Sequence, residues 1–438
     1  MKIGKSEYAL RRKRLMSEMA PDSVAIIPAA REVTRSRDTA YPFRQNSDFY
    51  YLTGFQEPDA VLLLLPGRRQ GQVLMFCRDR DPERELWDGY REGPEGVVQR
   101  FGMNDAYPIS DLDEIAPGLI EGRSTIYYSM GHDDLVDRQV LGWVNHIRTK
   151  VRTGAKPPGD ISDLAFILHE HRLIKSDSEL RIMQRAADIS SEAHCRAMRE
   201  CRSGRFEYHL ESSIQHSFAE KGARFPAYNS IVGSGKNACC LHYTENDAKM
   251  ADGDLVLIDA GCEYHGYAAD ITRTFPINGR FSPEQRAIYN VVLKSQLAAI
   301  AATKPGKKWN HPHDVTVKVI TQGLIDLGLL SGNLNDLIES GAYTDFYMHR
   351  AGHWLGLDVH DVGDYRINGK WRPLEPGMVL TIEPGIYVAA DNMTVDPKWR
   401  GIGVRIEDDV VVTESGCHVL TSGVPKDADE IEALMAAA

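Results

Sequence analysis

The stretch LVLIDAGCEYHGYAADITRTF, residues 255–275, ends an apolar run on Asp259 and brings in Asp270 eleven residues later, ahead of a Thr-rich strand. An ionised carboxylate carried into an apolar core is costly and tends to take up a proton unless something pairs it. Two more carboxylates stand in the same kind of place: Glu383 closes the run MVLTIE, and Glu407 lies inside GVRIEDDVVV. His353 sits in HRAGHWLGLDVHD. Four carboxylates and one imidazole make a hard, oxygen-rich donor set that can bridge two divalent cations. Two such ions about 3.5–4 Å apart hold a water between them and lower its pKa toward neutrality, which produces hydroxide at physiological pH. Strands suit such ligands because they hold side chains to tighter tolerance than loops do.

The context of these residues carries more than their types. DAGCEYHGYAADITRTF, HWLGLDVHD, EPGMVLTIEPGIY and GVRIEDDVVVT, in this order and spacing, closely resemble the pita-bread metallopeptidases, specifically the aminopeptidase P group. QNSDFYYLTGFQEPDAVLLL and RDRDPERELWDGYREG resemble the non-catalytic N-terminal domain of that group. The resemblance implies an α/β protein with an N-terminal α/β domain and a C-terminal pita-bread (creatinase/aminopeptidase-like) catalytic domain. It implies that Asp259 binds one metal and Asp270 both, that His353 and Glu383 bind the other, and that Glu407 bridges. Glu383 is also the group's proton shuttle. His242, His349 and His360 fall where the group contacts substrate and the tetrahedral intermediate, and an imidazole N–H there can stabilise an oxyanion. Arg405, two residues before Glu407, either orients ligand carboxylates or faces solvent from its strand. Asp38 and Tyr387 are weaker candidates for the same supporting role. Manganese is the group's usual ion; ligand hardness favours it over zinc, whereas the affinity order alone favours zinc.

The implied activity is release of the N-terminal residue from peptides with proline second, through a metal-bridged hydroxide, by a homotetramer or homodimer. ELWDGYREG resembles the segment one subunit offers to its neighbour's site, with Trp87 either as that anchor or as a core residue of its own domain. Prolidase, acting on dipeptides, is the nearest rival. A prolidase holds its substrate's C-terminal carboxylate, for which Arg152, Arg366, Lys370 and Arg372 are the basic candidates. A non-catalytic binding protein on the same fold is the rival of a different class, and the intact ligand set argues against it.

The elements that must position these groups are legible in outline. VAIIPA, AVLLLLP and QVLMFCRD read as strands of a first α/β domain. VRTGAKPPGD, residues 151–160, is a loop. A helix over ISDLAFILHEHRL follows, then a longer one opened by a capping box of Ser176 and Glu179. The boundary is expected near Leu173, giving domains 1–173, for oligomerisation and cleft shaping, and 174–438, for catalysis. Beyond residue 228 the pattern predicts a hairpin of 255–260 with 267–275, and strands over 379–382, 385–389 and 404–413. Helices are expected over 283–302 and 314–327, so that a helix pair and a hairpin occur twice.

Composition narrows the partners. The 438 residues are 42% hydrophobic and 26% charged, with a formal net charge of −11. That reads as soluble and globular, and it argues against nucleic acid, which needs a basic footprint. No apolar run is long enough to span a bilayer, and the basic N-terminus has no apolar stretch behind it, so a cytoplasmic protein with reduced cysteines is expected. Three motifs are read as bland: VGSGKN as a turn leading to His242 rather than a phosphate cradle, HPH at 311–313 as a loop, and RRKR at 11–14 as the solvated face of a helix.

Overall fold

The protein is described by a computed structural model covering residues 2–437. The chain forms two compact units, Ile3–His171 and Arg172 onward.

The first unit is built on a six-stranded sheet. Its order is Asp105–Pro108, Val73–Cys77, Val61–Leu64, Ser23–Pro28, Thr125–Tyr127 and Asp160–Ser162. The strands VLLL and VLMFC are buried along their whole length, which is why they read as unbroken apolar runs rather than as alternations. Trp143, Val140 and Val144 of helix Asp134–Thr149 and Leu112, Ala116 and Ile120 of helix Leu112–Ile120 complete this core. One expectation fails here. Of the RRKR run in helix Lys5–Glu18, Arg11 and Arg12 are buried, Arg12 to 1% exposure. Arg12 donates to the backbone carbonyls of Leu52, Phe101 and Gly102, and Arg11 to that of Tyr51. Those carbonyls end helices Ser47–Thr53 and Gly93–Phe101, where the last turn lacks intrahelical donors. The guanidiniums supply them.

The second unit alternates helix pairs with sheets. Ser176 and Glu179 cap helix Asp177–Glu200 reciprocally, as expected, and this helix packs on Glu207–Glu220. Ile231–Ser234, Leu255–Asp259 and Thr272–Pro276 follow as an antiparallel sheet. The next pair is Pro283–Ala302 with His311–Asp326. HPH is therefore the first turn of a helix and not a loop, with Pro312 where its missing N–H costs nothing. The VGSGKN segment does turn, but its donors go to a side chain: Ser234 N and Asn237 Nδ2 donate to Glu207.

Two strand expectations are corrected. The run 404–413 is two strands. Ile402–Arg405 pairs with Gly385–Val388 and Asp408–Val412 pairs with Val379–Ile382, so the chain changes partner at Ile406 and Glu407. The run 267–275 is also split. Asp259 pairs with Thr272, while Tyr267–Ala268 joins a small separate sheet with Cys262–Tyr264. Gly261 permits this crossing, since a Cβ there would lie 1.7 Å from the carbonyl oxygen of Ala269. Among the described residues no helix is long and apolar enough to cross a membrane, and the seven cysteines are free.

Candidate metal centre and catalytic cleft

The strand ends converge. Asp259 closes Leu255–Asp259, Asp270 precedes Thr272–Pro276, Glu383 follows Val379–Ile382, and Glu407 sits at the change of partner between Arg405 and Asp408. His353 is tied to the same sheet, because its N–H donates to Thr381 Oγ1 and its carbonyl accepts from Thr381 N. All five side chains line one cavity of about 500 Å³, together with Tyr228, His242, His349, Arg350, His360 and Arg405. Donor atoms of Asp270, His353 and Glu407 lie within 4.8 Å of one another. His353 Nε2 is 3.4 Å from Asp270 Oδ2 and 3.7 Å from Glu383 Oε1.

This donor set fits divalent cations on three observations. His353 Nδ1 donates to Trp354 O at 2.8 Å, which turns Nε2 toward the carboxylates as the nitrogen free to ligate. The Tyr228 hydroxyl lies 2.6 Å from both Asp259 Oδ1 and Asp270 Oδ1, yet it has a single proton to donate. The carboxylates also crowd one another. Burial and the negative charges of Asp270, Glu383 and Asp259 hold Glu407 well above the usual carboxylate range. Burial raises Glu383 to about 7 against the pull of His353 and Arg405. Burial and the charge of Asp259 raise Asp270. For His353, burial disfavours the charge, but the bond to Asp270 and the charges of Glu383 and Asp270 prevail and lift it to about 9. Cations placed among these oxygens would relieve that repulsion.

Arg405 is 3% exposed, which decides against the solvent-facing alternative. It donates to Asp259 Oδ2 at 2.7 Å, to Thr272 Oγ1 at 3.1 Å and to the Tyr387 hydroxyl at 3.1 Å. Burial works against charge on Asp259, but Arg405 and the Tyr228 hydroxyl outweigh it and hold this carboxyl below its ordinary value. The chain of donors continues from Tyr387 O–H to His349 Nε2 at 2.9 Å, and from His349 Nδ1 to the Arg350 carbonyl at 2.8 Å. Both His349 nitrogens are thereby engaged, and burial lowers its pKa to about 4, so the ring is neutral. Thr272 Oγ1 donates to Glu407 Oε2 at 2.6 Å. His360 packs edge-on against His353, with ring centroids 4.2 Å apart. His242 is exposed on the cavity wall.

The remaining candidates lie elsewhere. Asp38 is exposed in the first unit, at the turn of hairpin Thr34–Ser36 and Thr39–Ala40, and Arg152 is exposed in the same unit. Arg372 is buried and donates to the Asp364 carbonyl. Arg366 and Lys370 stand on an exposed hairpin. Trp87 is 83% exposed on helix Pro82–Asp88, so it is not a core residue of its own unit. Tyr228 and Arg350 were not singled out from sequence. Nothing in FPAYNS marks a tyrosine that spans two carboxylates. Arg350 sits one residue after His349, and that adjacency was the available signal.

Residues 181–414 match metallopeptidase family M24, and residues 8–127 match the aminopeptidase P N-terminal domain. The chain belongs to metallopeptidase family M24. This M24 hydrolase is 47% identical to the Xaa-Pro aminopeptidase of Escherichia coli K12 over 437 residues, covering 100% of the chain and 99% of that relative. It is 60% identical to the solved aminopeptidase PepP of Pseudomonas aeruginosa, with a TM-score of 0.99 over 100% of this chain and 99% of the other. A zinc-substituted E. coli aminopeptidase P in complex with product matches at 47% identity and a TM-score of 0.97, over 100% and 99% of the two chains. The expected fold class, an N-terminal α/β domain followed by a pita-bread domain, is the one these M24 structures share.

Proposed function

We propose that this M24 metallopeptidase is an Xaa-Pro aminopeptidase, cleaving the bond between an N-terminal residue and a following proline. One observation carries the reading: Asp259, Asp270, His353, Glu383 and Glu407 converge on one cavity in a chain 47% identical, end to end, to an Xaa-Pro aminopeptidase. The cofactor is two divalent cations, manganese by preference. Asp259, Asp270, His353, Glu383 and Glu407 are the residues that would hold them. When bound, they supply an acidified water and a Lewis acid for the scissile carbonyl.

The chain's own residues do the rest. Glu383 accepts a proton from the attacking water and returns it to the departing proline nitrogen, as a carboxylate on the cavity wall can do. His242 and His360 present ring N–H groups to the developing oxyanion. His349, with both nitrogens engaged, holds the Tyr387 and Arg405 chain in place and walls the cleft. Arg405 and Tyr228 fix the orientation of Asp259 and Asp270.

The exposed pair Leu86 and Trp87 supports a homo-oligomer, a tetramer or a dimer, with Trp87 offered to a neighbouring subunit. The absence of a spanning helix among the described residues is compatible with the cytoplasm, where we place the protein. The deciding experiment compares kcat/KM on Xaa-Pro, Xaa-Pro-Xaa and a pentapeptide with one N-terminal residue and added manganese. The tripeptide and pentapeptide should be cleaved at least as well as the dipeptide. Activity confined to the dipeptide would make the enzyme a prolidase.

A further inference from the structure

Positive charge without a carboxylate partner borders the acidic cleft, and its construction starts in the sequence. In Ile367–Asn–Gly–Lys370, Asn368 and Gly369 both adopt positive φ, 51° and 76°, the two-residue turn whose twist matches a hairpin. That turn sets Arg366 directly opposite Trp371 across the two strands. The Arg366 guanidinium lies over the indole at 4.0 Å. Arg350 places its guanidinium over the same ring at 5.0 Å and donates to the side-chain oxygen of Asn310. The neighbouring Trp309 N–H donates to Arg372 O at 2.9 Å, which ties the Asn310 segment to the hairpin. Arg350 also lines the metal-centre cavity itself. Ring contacts hold the two guanidiniums without neutralising them. Neither has a carboxylate in ion-pair range among the described residues.

We infer that Arg350 is a specificity-determining residue that binds a substrate carboxylate beyond the proline, with Arg366 held on the same indole. The inference rests on the peptidase reading above and names the substrates it prefers. An arginine fork matches a carboxylate in two parallel hydrogen bonds, where an amide offers one neutral acceptor. The carboxylate cluster attracts the ammonium end of a peptide and the arginine rim its acidic end, so the cleft is polarised along a short substrate. The carboxylate is either the free C-terminus of a tripeptide or the side chain of an acidic third residue.

The test compares the metal-loaded protein with its Arg350→Gln and Arg350→Lys variants on Ala-Pro-Leu, Ala-Pro-Leu amide and Ala-Pro-Glu amide. Wild type should favour a carboxylate-bearing peptide over Ala-Pro-Leu amide by about 5- to 10-fold in kcat/KM, the strength of one charge-assisted hydrogen bond at a partly exposed site. The preference should shrink as salt rises. Arg350→Gln should bring the ratio near one, and Arg350→Lys should keep part of it. Whichever carboxylate peptide shows the preference identifies the source. A wild-type ratio near one, or a ratio that Arg350→Gln leaves unchanged, overturns the inference. Calorimetric binding of Pro-Leu and of Pro-Glu amide, each against Pro-Leu amide, repeats the comparison without turnover. Failure to cleave any peptide therefore counts against the peptidase reading alone, and the binding arm still decides on Arg350.

Discussion

Each carboxylate in the centre has its own environment, and substitutions should separate them. Glu383→Gln keeps shape and one oxygen but cannot cycle a proton. Its kcat should fall roughly 10²-fold or more, the scale of general acid–base catalysis, with metal content unchanged by elemental analysis. A kcat near wild type in the metal-replete variant would remove the shuttle role. Tyr228→Phe is subtler. It keeps the ring and deletes the hydroxyl that touches both Asp259 and Asp270. Losing a group that orients ligands costs about 10- to 100-fold in metal affinity or activity, to be read by competition with a chelator of known affinity. Unchanged affinity and kcat would leave Tyr228 with a packing role alone.

At the scale of elements, the loop that carries His353 and His360 is pinned by a buried ion cluster. Asp361 accepts from Arg172 at 2.5 Å and from Lys175 at 2.9 Å, and Arg172 reaches Asp358 at 2.7 Å. Burial disfavours the Asp361 charge, but Lys175 and Arg172 outweigh it and hold the carboxyl below its ordinary value. A carboxyl depressed by folding contributes stability above its unfolded pKa, near ~3.9, and loses that contribution as pH falls through the folded value. Asp361→Asn should therefore lower Tm at neutral pH, by several degrees or more given the cost of breaking a buried pair, about 3–5 kcal/mol. The gap to wild type should narrow below about pH 4. A gap independent of pH would show that the loss is steric. The crossing at Gly261 is a second control point. Gly261→Ala would drive a methyl into the Ala269 carbonyl, so it should destabilise by more than the about 1–3 kcal/mol of ordinary overpacking and weaken metal binding together with fold.

For the whole molecule, the metal prediction is the broadest. Chelation should abolish peptidase activity and manganese should restore it, because stripped protein leaves mutually repelling carboxylates in the cleft. Full activity after verified removal would overturn the metal centre. Oligomerisation is tested by light scattering at assay concentration. Trp87→Glu should shift the protein toward monomers, since a charge replaces an exposed apolar anchor. A wild-type monomer with full activity would reject the assembly.

Sequence by itself determined the family and the regular elements with strong local signals, and it named the candidate ligands. Ser176 and Glu179 announce a helix start because a capping box closes within one turn, and VLLL announces a buried strand because every residue is apolar. What it could not determine was who satisfies each polar atom. RRKR looks like a solvated face, but Arg12 finds helix-end carbonyls about 40 and 90 residues away in the chain. Residues 404–413 look like one strand, but two partners claim its halves and leave Glu407 at the joint. Tyr228 carries no local mark, and Arg350 only its place next to His349. One is defined by two carboxylates on other segments, the other by a ring on a distant hairpin. Periodicity and caps are properties of neighbouring residues. Hydrogen-bond satisfaction and charge compensation are properties of the folded neighbourhood, and tertiary structure alone supplies that.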